Sequence, residues 1–303
     1  ASAVAHPGSG IAVDPAGRIY FTTGPMIVRI DPQGGARVIV HDRSGERFYQ
    51  LHHIQRAPDG GLVTASDLGD VLWRFSPEGD LSRHYPPADS DRVVRVGLGG
   101  DPFALDPSGA VFSVNLVHGR FSQILRIDAE GRVRVMAGGD WGLEDGVGDR
   151  AKLGDLHGGS MMVEPGGAVL FTDSGVCLRR LEMSGAVVTM AGGTTRGHVD
   201  GLGRQARFDG AAGLARDLDG TLFVVETAGR VRKVSTDGQV TTVAGAGGGG
   251  HRDGEAIQAL FEEPHGVAIG PRGELFVLEL GATRVRKVFG GRVFTVHSGV
   301  PIP

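Results

Sequence analysis

Three histidines recur at nearly equal intervals along the chain and have the side-chain chemistry of a metal site. They are His52, His157 and His265. Imidazole binds first-row divalent ions, and three converging imidazoles leave coordination positions open for water or a substrate. The expected ion is Zn²⁺, with Fe, Cu or Mn as alternatives. Such a site requires a fold that brings together residues about a third of the chain apart.

One sequence unit recurs six times from end to end and supplies that fold. Its first segment, GIAVDPAGRIYF at residues 10–21, is closely matched by GVAIGPRGELFV at residues 266–277. A turn glycine marks each copy, at positions 17, 60, 109, 167, 220 and 273. Three further short runs of alternating apolar residues follow in each unit. This pattern predicts four strands per unit with turns between them.

Six such units predict an all-β fold, a six-bladed β-propeller with four antiparallel strands per blade. A four-stranded sheet cannot bury both faces by itself, whereas radial stacking of six sheets buries them all. We expect a single domain over residues 1–303. The expected blades cover residues 6–43, 49–88, 96–138, 153–192, 208–245 and 261–297.

The propeller geometry would place the three histidines at the mouth of the central channel. The residues just before the six inner strands are Ser9, His52, Asp101, Gly158, Ala212 and His265. A one-residue slip would bring His157 into the position of Gly158. Blades two, four and six are then related by about a third of a turn, so their side chains converge on the axis. If the register is off by one, His53 replaces His52 as the ligand.

The repeat units resemble those of NHL-repeat proteins. The most typical stretch runs from VTTVAG at residues 240–245 through Asp253-Gly254 to PHGVAI at residues 264–269. The three-histidine pattern resembles the peptidyl-α-hydroxyglycine α-amidating lyase domain, whose axial zinc is held by three histidines in Pro-His-Gly-like segments. The segment around His265 matches best. This resemblance implies a metal-dependent lyase.

Catalytic candidates lie close to the expected metal. The amidating lyases place a tyrosine in the loop that here reads NLVHGRFSQ, residues 115–123, which contains no tyrosine. His118 or Arg120 of that loop could take its place, with His118 as a proton shuttle. Tyr49 could also reach the channel mouth. Other polar residues are expected to be structural: the carboxylates Asp67, Asp173, Glu226 and Glu279 at second-strand ends, the loop histidines His198 and His251, and the surface segments 230–233 and 284–287.

Composition excludes several classes of partner. The net charge is −4 with no basic run, which argues against nucleic acid, and no apolar stretch approaches the length of a membrane helix. Cys177 is the only cysteine, so no intrachain disulfide can form. The first residues lack the pattern of a signal peptide. We expect a monomer, either cytoplasmic or exported after removal of a signal peptide.

Three functions are compatible with these features. The first is a metal-dependent propeller enzyme, a lyase, that acts on a small or peptide-like molecule. The second is a non-catalytic NHL propeller that binds a ligand or a protein. The third is a lactonase-like hydrolase with calcium bound by axial carboxylates and amides, for which Asp101 is the main candidate ligand.

Overall fold

The computed structural model describes residues 10–42, 51–57, 59–66, 71–85, 101–117, 121–280 and 284–299. Six antiparallel sheets of four main strands form a closed ring around one axis. The predicted six-bladed β-propeller is therefore confirmed. All four main strands of every blade come from one sequence unit, and among the described residues no helix has the length and apolar character needed to cross a membrane.

The first three blades each contain four strands. Blade one contains β1 (Ile11–Val13), β2 (Ile19–Thr23), β3 (Met26–Asp31) and β4 (Gly35–His41). Blade two contains β5 (Leu51–Arg56), β6 (Leu62–Ser66), β7 (Leu72–Phe75) and β8 (Leu81–Tyr85). Blade three contains β9 (Phe103–Leu105), β10 (Val111–Val117), β11 (Phe121–Ile127) and β12 (Val133–Ala137).

Long connections precede the last three blades, and each adds a short fifth strand to the outer edge of the blade that follows. The connection to blade four contains β13 (Asp140–Trp141), β14 (Gly146–Val147), a 3₁₀ turn (Gly148–Arg150) and β15 (Lys152–Leu153). Blade four contains β16 (Met161–Val163), β17 (Val169–Asp173), β18 (Cys177–Leu181) and β19 (Ala186–Gly192).

The last two blades repeat this plan. Blade five is preceded by β20 (Gly201–Leu202) and a 3₁₀ turn (Gly203–Gln205), and contains β21 (Ala211–Arg216), β22 (Leu222–Glu226), β23 (Arg230–Val234) and β24 (Gln239–Ala244). Blade six is preceded by β25 (Gly254–Glu255) and a 3₁₀ turn (Ala256–Gln258), and contains β26 (Pro264–Ile269), β27 (Leu275–Glu279), β28 (Arg284–Phe289) and β29 (Arg292–Ser298).

The hydrophobic core consists of six layers, one at each junction between neighbouring blades. Ile11 and Phe21 of blade one, for example, pack with Leu278 and Val285 of blade six, which closes the ring. The six turn glycines named above have φ between +79° and +93°, a conformation that side-chain-bearing residues avoid. The repeated glycine thus fixes the tight turn between the first two strands of every blade.

A buried arginine fastens the long connection onto each of the last three blades. In blade five, Arg232 donates from Nη1 to Glu226 Oε1 at 3.0 Å and from Nη2 to Asp200 Oδ1 at 2.7 Å, and the same two nitrogens also donate to backbone carbonyls of the connection. Its guanidinium also lies 5.3 Å from the centre of the Phe208 ring. Arg179 with Asp173 and Asp145, and Arg286 with Glu279 and Asp253, repeat the arrangement.

These contacts change the interpretation of two sequence features. Asp173, Glu226 and Glu279 are structural, as predicted, and burial raises the pKa of Asp173 to about 6. Arg232 and Arg286, however, were expected on the surface with the rest of their third-strand segments, and both are fully buried. The expectation was wrong because strand alternation points these side chains into the blade junction, where two carboxylates compensate the charge.

Replacement of Arg232 by methionine should destabilise the fold strongly. Glu226 would remain buried without its cationic partner, a situation that typically costs about 3–5 kcal/mol. Lys233→Met in the same strand is the matched control, because Lys233 is only partly buried and should change stability by about 0.5 kcal/mol or less. Urea denaturation of the three proteins measures both effects. Equal stability of the Arg232 and Lys233 variants would contradict the structural role of the buried ion pair.

Candidate functional site

A cavity of about 530 Å³ lies on the propeller axis and is lined by inner-strand residues of all six blades. Ile11, Met161, Leu214 and Val267 contribute apolar surface, and polar groups make up about half of the exposed wall. Concave sites that combine apolar surface with a few polar groups are typical ligand sites. Two histidines, His53 and His265, line the cavity, and both lie near the starts of inner strands.

His53 lines the cavity on blade two, whereas His52 does not. The pairing of β5 with β6 passes from His52–Ala65 to Ile54–Thr64, so His53 is the extra residue of a β-bulge and has φ +45°. A bulge re-aims the side chain and breaks the simple alternation of a strand. His52 is buried at 6% exposure in the blade. The histidine at the channel is therefore the alternative considered above, one residue beyond His52.

His265 also occupies a bulge, between Pro264 and Gly266 of β26. Its Nδ1 lies 3.2 Å from the carbonyl oxygen of Glu263, a residue with φ +47°. A carbonyl only accepts hydrogen bonds, so this contact places the proton of the neutral ring on Nδ1. Nε2 is then the nitrogen that can accept a proton.

Two glycines allow the inner strands to approach one another beside these histidines. A Cβ atom on Gly10 would lie 2.5 Å from the backbone nitrogen of Ile54, and one on Gly213 would lie 2.2 Å from the carbonyl oxygen of His265. Any side chain at either position would push the neighbouring strand away. The absence of a Cβ atom at these positions therefore helps to fix the backbone that carries each histidine.

His157 lies at the mouth of the channel but does not line the cavity. Its Nδ1 is 3.1 Å from Asp101 Oδ1 of blade three, and 48% of its side chain is exposed. The expected one-residue slip is not present. Ser160 pairs with Thr172 on the neighbouring strand, so Gly159, the residue before it, occupies the place on the cavity wall that His157 would need. The turn around Gly158 keeps His157 two residues before Gly159.

The described residues contain no group of three His, Cys, Asp or Glu side chains placed to hold a metal ion. His53 and His265 provide two imidazoles at the cavity, fewer than the three protein ligands of a typical catalytic zinc site. The zinc expected from the sequence stays a prediction. Tyr49, His118, Arg120 and Asp67 lie outside the described residues.

Gln55 is a cavity residue that the sequence analysis did not identify. Its side-chain amide donates to the backbone carbonyls of Phe103 in blade three and, at 2.6 Å, of Met161 in blade four. The side chain thus spans one side of the channel. The available signal was that the equivalent residue is apolar in the other five inner strands, namely Ala12, Ala104, Met162, Ala215 and Ala268.

Comparisons with known proteins support the fold. No family model matches the chain. Teneurin-3 of Danio rerio is 30% identical over 112 residues, which cover 32% of this chain and 4% of teneurin-3. Human teneurin-4 is 31% identical over 105 residues, or 29% of this chain and 4% of that protein. The chain therefore spans only a small part of the curated relatives it matches.

Solved structures cover nearly the whole chain at low identity. A Bacteroides thetaiotaomicron protein of unknown function has a TM-score of 0.70 at 16% identity, covering 94% of this chain and 70% of its own. Virginiamycin B lyase from Staphylococcus aureus has a TM-score of 0.54 at 16% identity, covering 96% and 84%. The calcium-binding protein regucalcin from Agrobacterium tumefaciens has a TM-score of 0.58 at 16% identity, covering 95% and 91%. These similarities establish the propeller fold.

The metal prediction can be tested by elemental analysis. Protein purified without added metal should contain about one equivalent of a transition metal per chain if the imidazoles bind an ion. The His265→Ala variant should lose that metal and remain folded, and the exposed loop variant His251→Ala should retain it. Absence of transition metal from the purified wild-type protein would contradict the prediction.

The pKa of His157 should lie above its ordinary value of 6.5, because Asp101 bonds to the ring and favours the imidazolium form. The contact therefore stabilises the fold below pH 6.5, and this contribution is lost as the pH rises through the folded-state pKa. Asp101→Asn should lower the pKa of His157 in an NMR titration. Asp128→Asn, a turn residue of the same blade, should leave it unchanged. An equal pKa in all three proteins would contradict the role assigned to Asp101.

Proposed function

We propose that this protein is a lyase that acts on a small or peptide-like molecule bound in the axial cavity, with His53 and His265 as the catalytic residues. The observation that carries the proposal is that two separate β-bulges direct imidazoles of blades two and six to one cavity. Bulges that re-aim side chains recur beside active sites.

Elimination requires two proton transfers, and two imidazoles can supply both. One ring takes a proton from a carbon next to an electron-withdrawing group, and the other protonates the atom that leaves as the bond breaks. His265 suits the role of base, because its contact with Glu263 leaves Nε2 as the accepting nitrogen. His53 then serves as the acid.

The comparisons support this choice of reaction class without establishing it. Virginiamycin B lyase shares the fold, and a catalytically inactive His→Ala variant of that enzyme has been crystallised with quinupristin. A histidine is therefore required for activity on the same architecture. The amidating-lyase resemblance of the segment around His265 points to the same class.

Two other functions would use the same cavity differently. A ligand-binding propeller is favoured by the mixed polar and apolar wall, which can hold a molecule without converting it. A calcium-dependent hydrolase is the other function, because the calcium-binding protein regucalcin shares the fold of this chain. It would need oxygen ligands, yet the carboxylate of Asp14, on the cavity wall, already accepts hydrogen bonds from Arg18, Tyr20 and the backbone.

Turnover of quinupristin, followed by liquid chromatography, tests the lyase proposal with an available peptide-like compound. Wild-type protein should convert it, and His53→Ala and His265→Ala should each lower kcat by at least about 100-fold, the usual contribution of a general acid or base. His251→Ala is the matched control, an exposed loop histidine that does not line the cavity. Its activity should equal that of the wild type.

Thermal unfolding of each variant separates catalytic loss from misfolding. Saturable binding of quinupristin without conversion would favour the binding propeller. Unchanged turnover in both histidine variants would refute the catalytic roles of His53 and His265.

A further inference from the structure

The side-chain amide of Gln55 lies inside the axial channel. Gln55 belongs to the inner strand of blade two, yet its Nε2 donates to the carbonyl oxygen of Phe103 in blade three and, at 2.6 Å, to that of Met161 in blade four. Blade three stands between blades two and four in the ring, and the inner strands of blades three and four pack against each other. A single nitrogen atom from blade two can therefore reach both carbonyls only from the channel side of blade three.

These two contacts fix which way the amide group points. A backbone carbonyl only accepts hydrogen bonds, so the nitrogen of the amide, and not its oxygen, must face Phe103 and Met161. Nε2 carries two hydrogens, and the two carbonyls take both of them. The amide oxygen, Oε1, is bonded to the same carbon atom as Nε2 and therefore also lies in the channel. Its orientation is set before any ligand binds.

Oε1 is the end of this amide that is open to a ligand. It accepts no hydrogen bond from any residue that the structure describes, and it is not among the described side-chain atoms that are buried without a partner. Gln55 itself is partly exposed and lines the axial cavity. The oxygen of an amide offers two lone pairs to hydrogen-bond donors. The cavity wall thus presents a fixed acceptor to whatever occupies the channel.

The other side of the channel leaves room for a ligand beside this oxygen. The residues equivalent to Gln55 in blades one, five and six are Ala12, Ala215 and Ala268, which also line the cavity. Each of these side chains is a single methyl group, so none can cross the channel as the side chain of Gln55 does. Blade five lies opposite blade two in a ring of six. A segment of a ligand can therefore pass beside Gln55 at this level.

We propose that Gln55 is a specificity-determining residue, which selects ligands with an amide N–H group, as in a peptide-like molecule, that donates to Oε1. The inference rests on the proposed use of the axial cavity as the ligand site. A ligand that fills the channel removes water from Oε1. A ligand with an N–H group replaces the lost hydrogen bond, whereas a ligand without a donor leaves the acceptor unpaired. Because Gln55 follows His53 by two residues along the strand, this N–H group lies farther along the channel than the reacting atoms at the histidines.

Two small amides of similar shape test this residue. N-methylacetamide has one N–H group, and N,N-dimethylacetamide has none. Titration of each compound into isotope-labelled protein, followed by NMR through the backbone amide signals of the cavity residues, measures both affinities. Wild-type protein should bind N-methylacetamide about fivefold or more tightly than N,N-dimethylacetamide, because only the first can donate a hydrogen bond to Oε1. The side-chain amide signals of Gln55 should shift with N-methylacetamide.

Gln55→Lys separates the acceptor of this side chain from its donors. Lysine has a similar length, and its ammonium group can donate to both backbone carbonyls but accepts nothing. The variant should therefore stay folded and lose the preference for N-methylacetamide. Gln258→Lys makes the same chemical change at an exposed residue outside the cavity and should keep the preference. Thermal unfolding checks that both variants are folded, and the comparison of the two amides on wild-type protein depends on neither variant.

The inference is overturned if wild-type protein binds the two amides with equal affinity, if it binds neither, or if folded Gln55→Lys retains the preference. Turnover of quinupristin is a separate result. A preference that depends on Gln55, in a protein that does not convert quinupristin, would refute the proposed reaction and support the role of Gln55. Conversion of quinupristin without any preference between the amides would do the reverse.

Discussion

Buried ion pairs between one arginine and two carboxylates hold the long connections of this propeller in place. In blades four to six the arginine of the third strand reaches a carboxylate at the end of the second strand and an aspartate in the preceding connection. Removing a charge from water is costly, and the cost is offset only when the ion-pair geometry is good and further hydrogen bonds are made. Each of these guanidinium groups bonds to carboxylates and to backbone carbonyls, which ties the connection to its blade.

This constraint divides the ring into two halves. The equivalent third-strand positions in blades one to three are Val28, Trp73 and Leu125, which cannot form such an ion pair. In the last three blades the ion pairs thus attach the preceding connection to its blade. The two bulged histidines lie in different halves, His265 on blade six and His53 on blade two. The site therefore combines one firmly fastened blade with one that lacks the ion pair.

The sequence predicted the fold well because the repeat encodes it locally. Turn glycines, alternating runs and unit length each depend on a few neighbouring residues, and all agreed with four-stranded blades. The candidate site depended on bulges, which insert one residue without any marked change in the pattern. Alternation alone selected His52, whereas the bulge brings His53 to the cavity. The burial of Arg232 could not be predicted for a related reason. Its partners Glu226 and Asp200 lie in other parts of the unit, so the third strand alone does not reveal them.

Among the described residues, every blade draws its four main strands from one continuous stretch of chain, and no strand is shared between blades one and six. Side-chain packing closes the seam between blades one and six, and hydrogen bonds such as that from Leu51 N to Gly24 O join other neighbouring blades. Each unit is consequently a self-contained module at the level of the gene. Duplication or loss of a whole unit would change the number of blades while leaving every remaining sheet intact. The number of blades can therefore change during evolution by gain or loss of whole units, while the units that carry the histidines are kept.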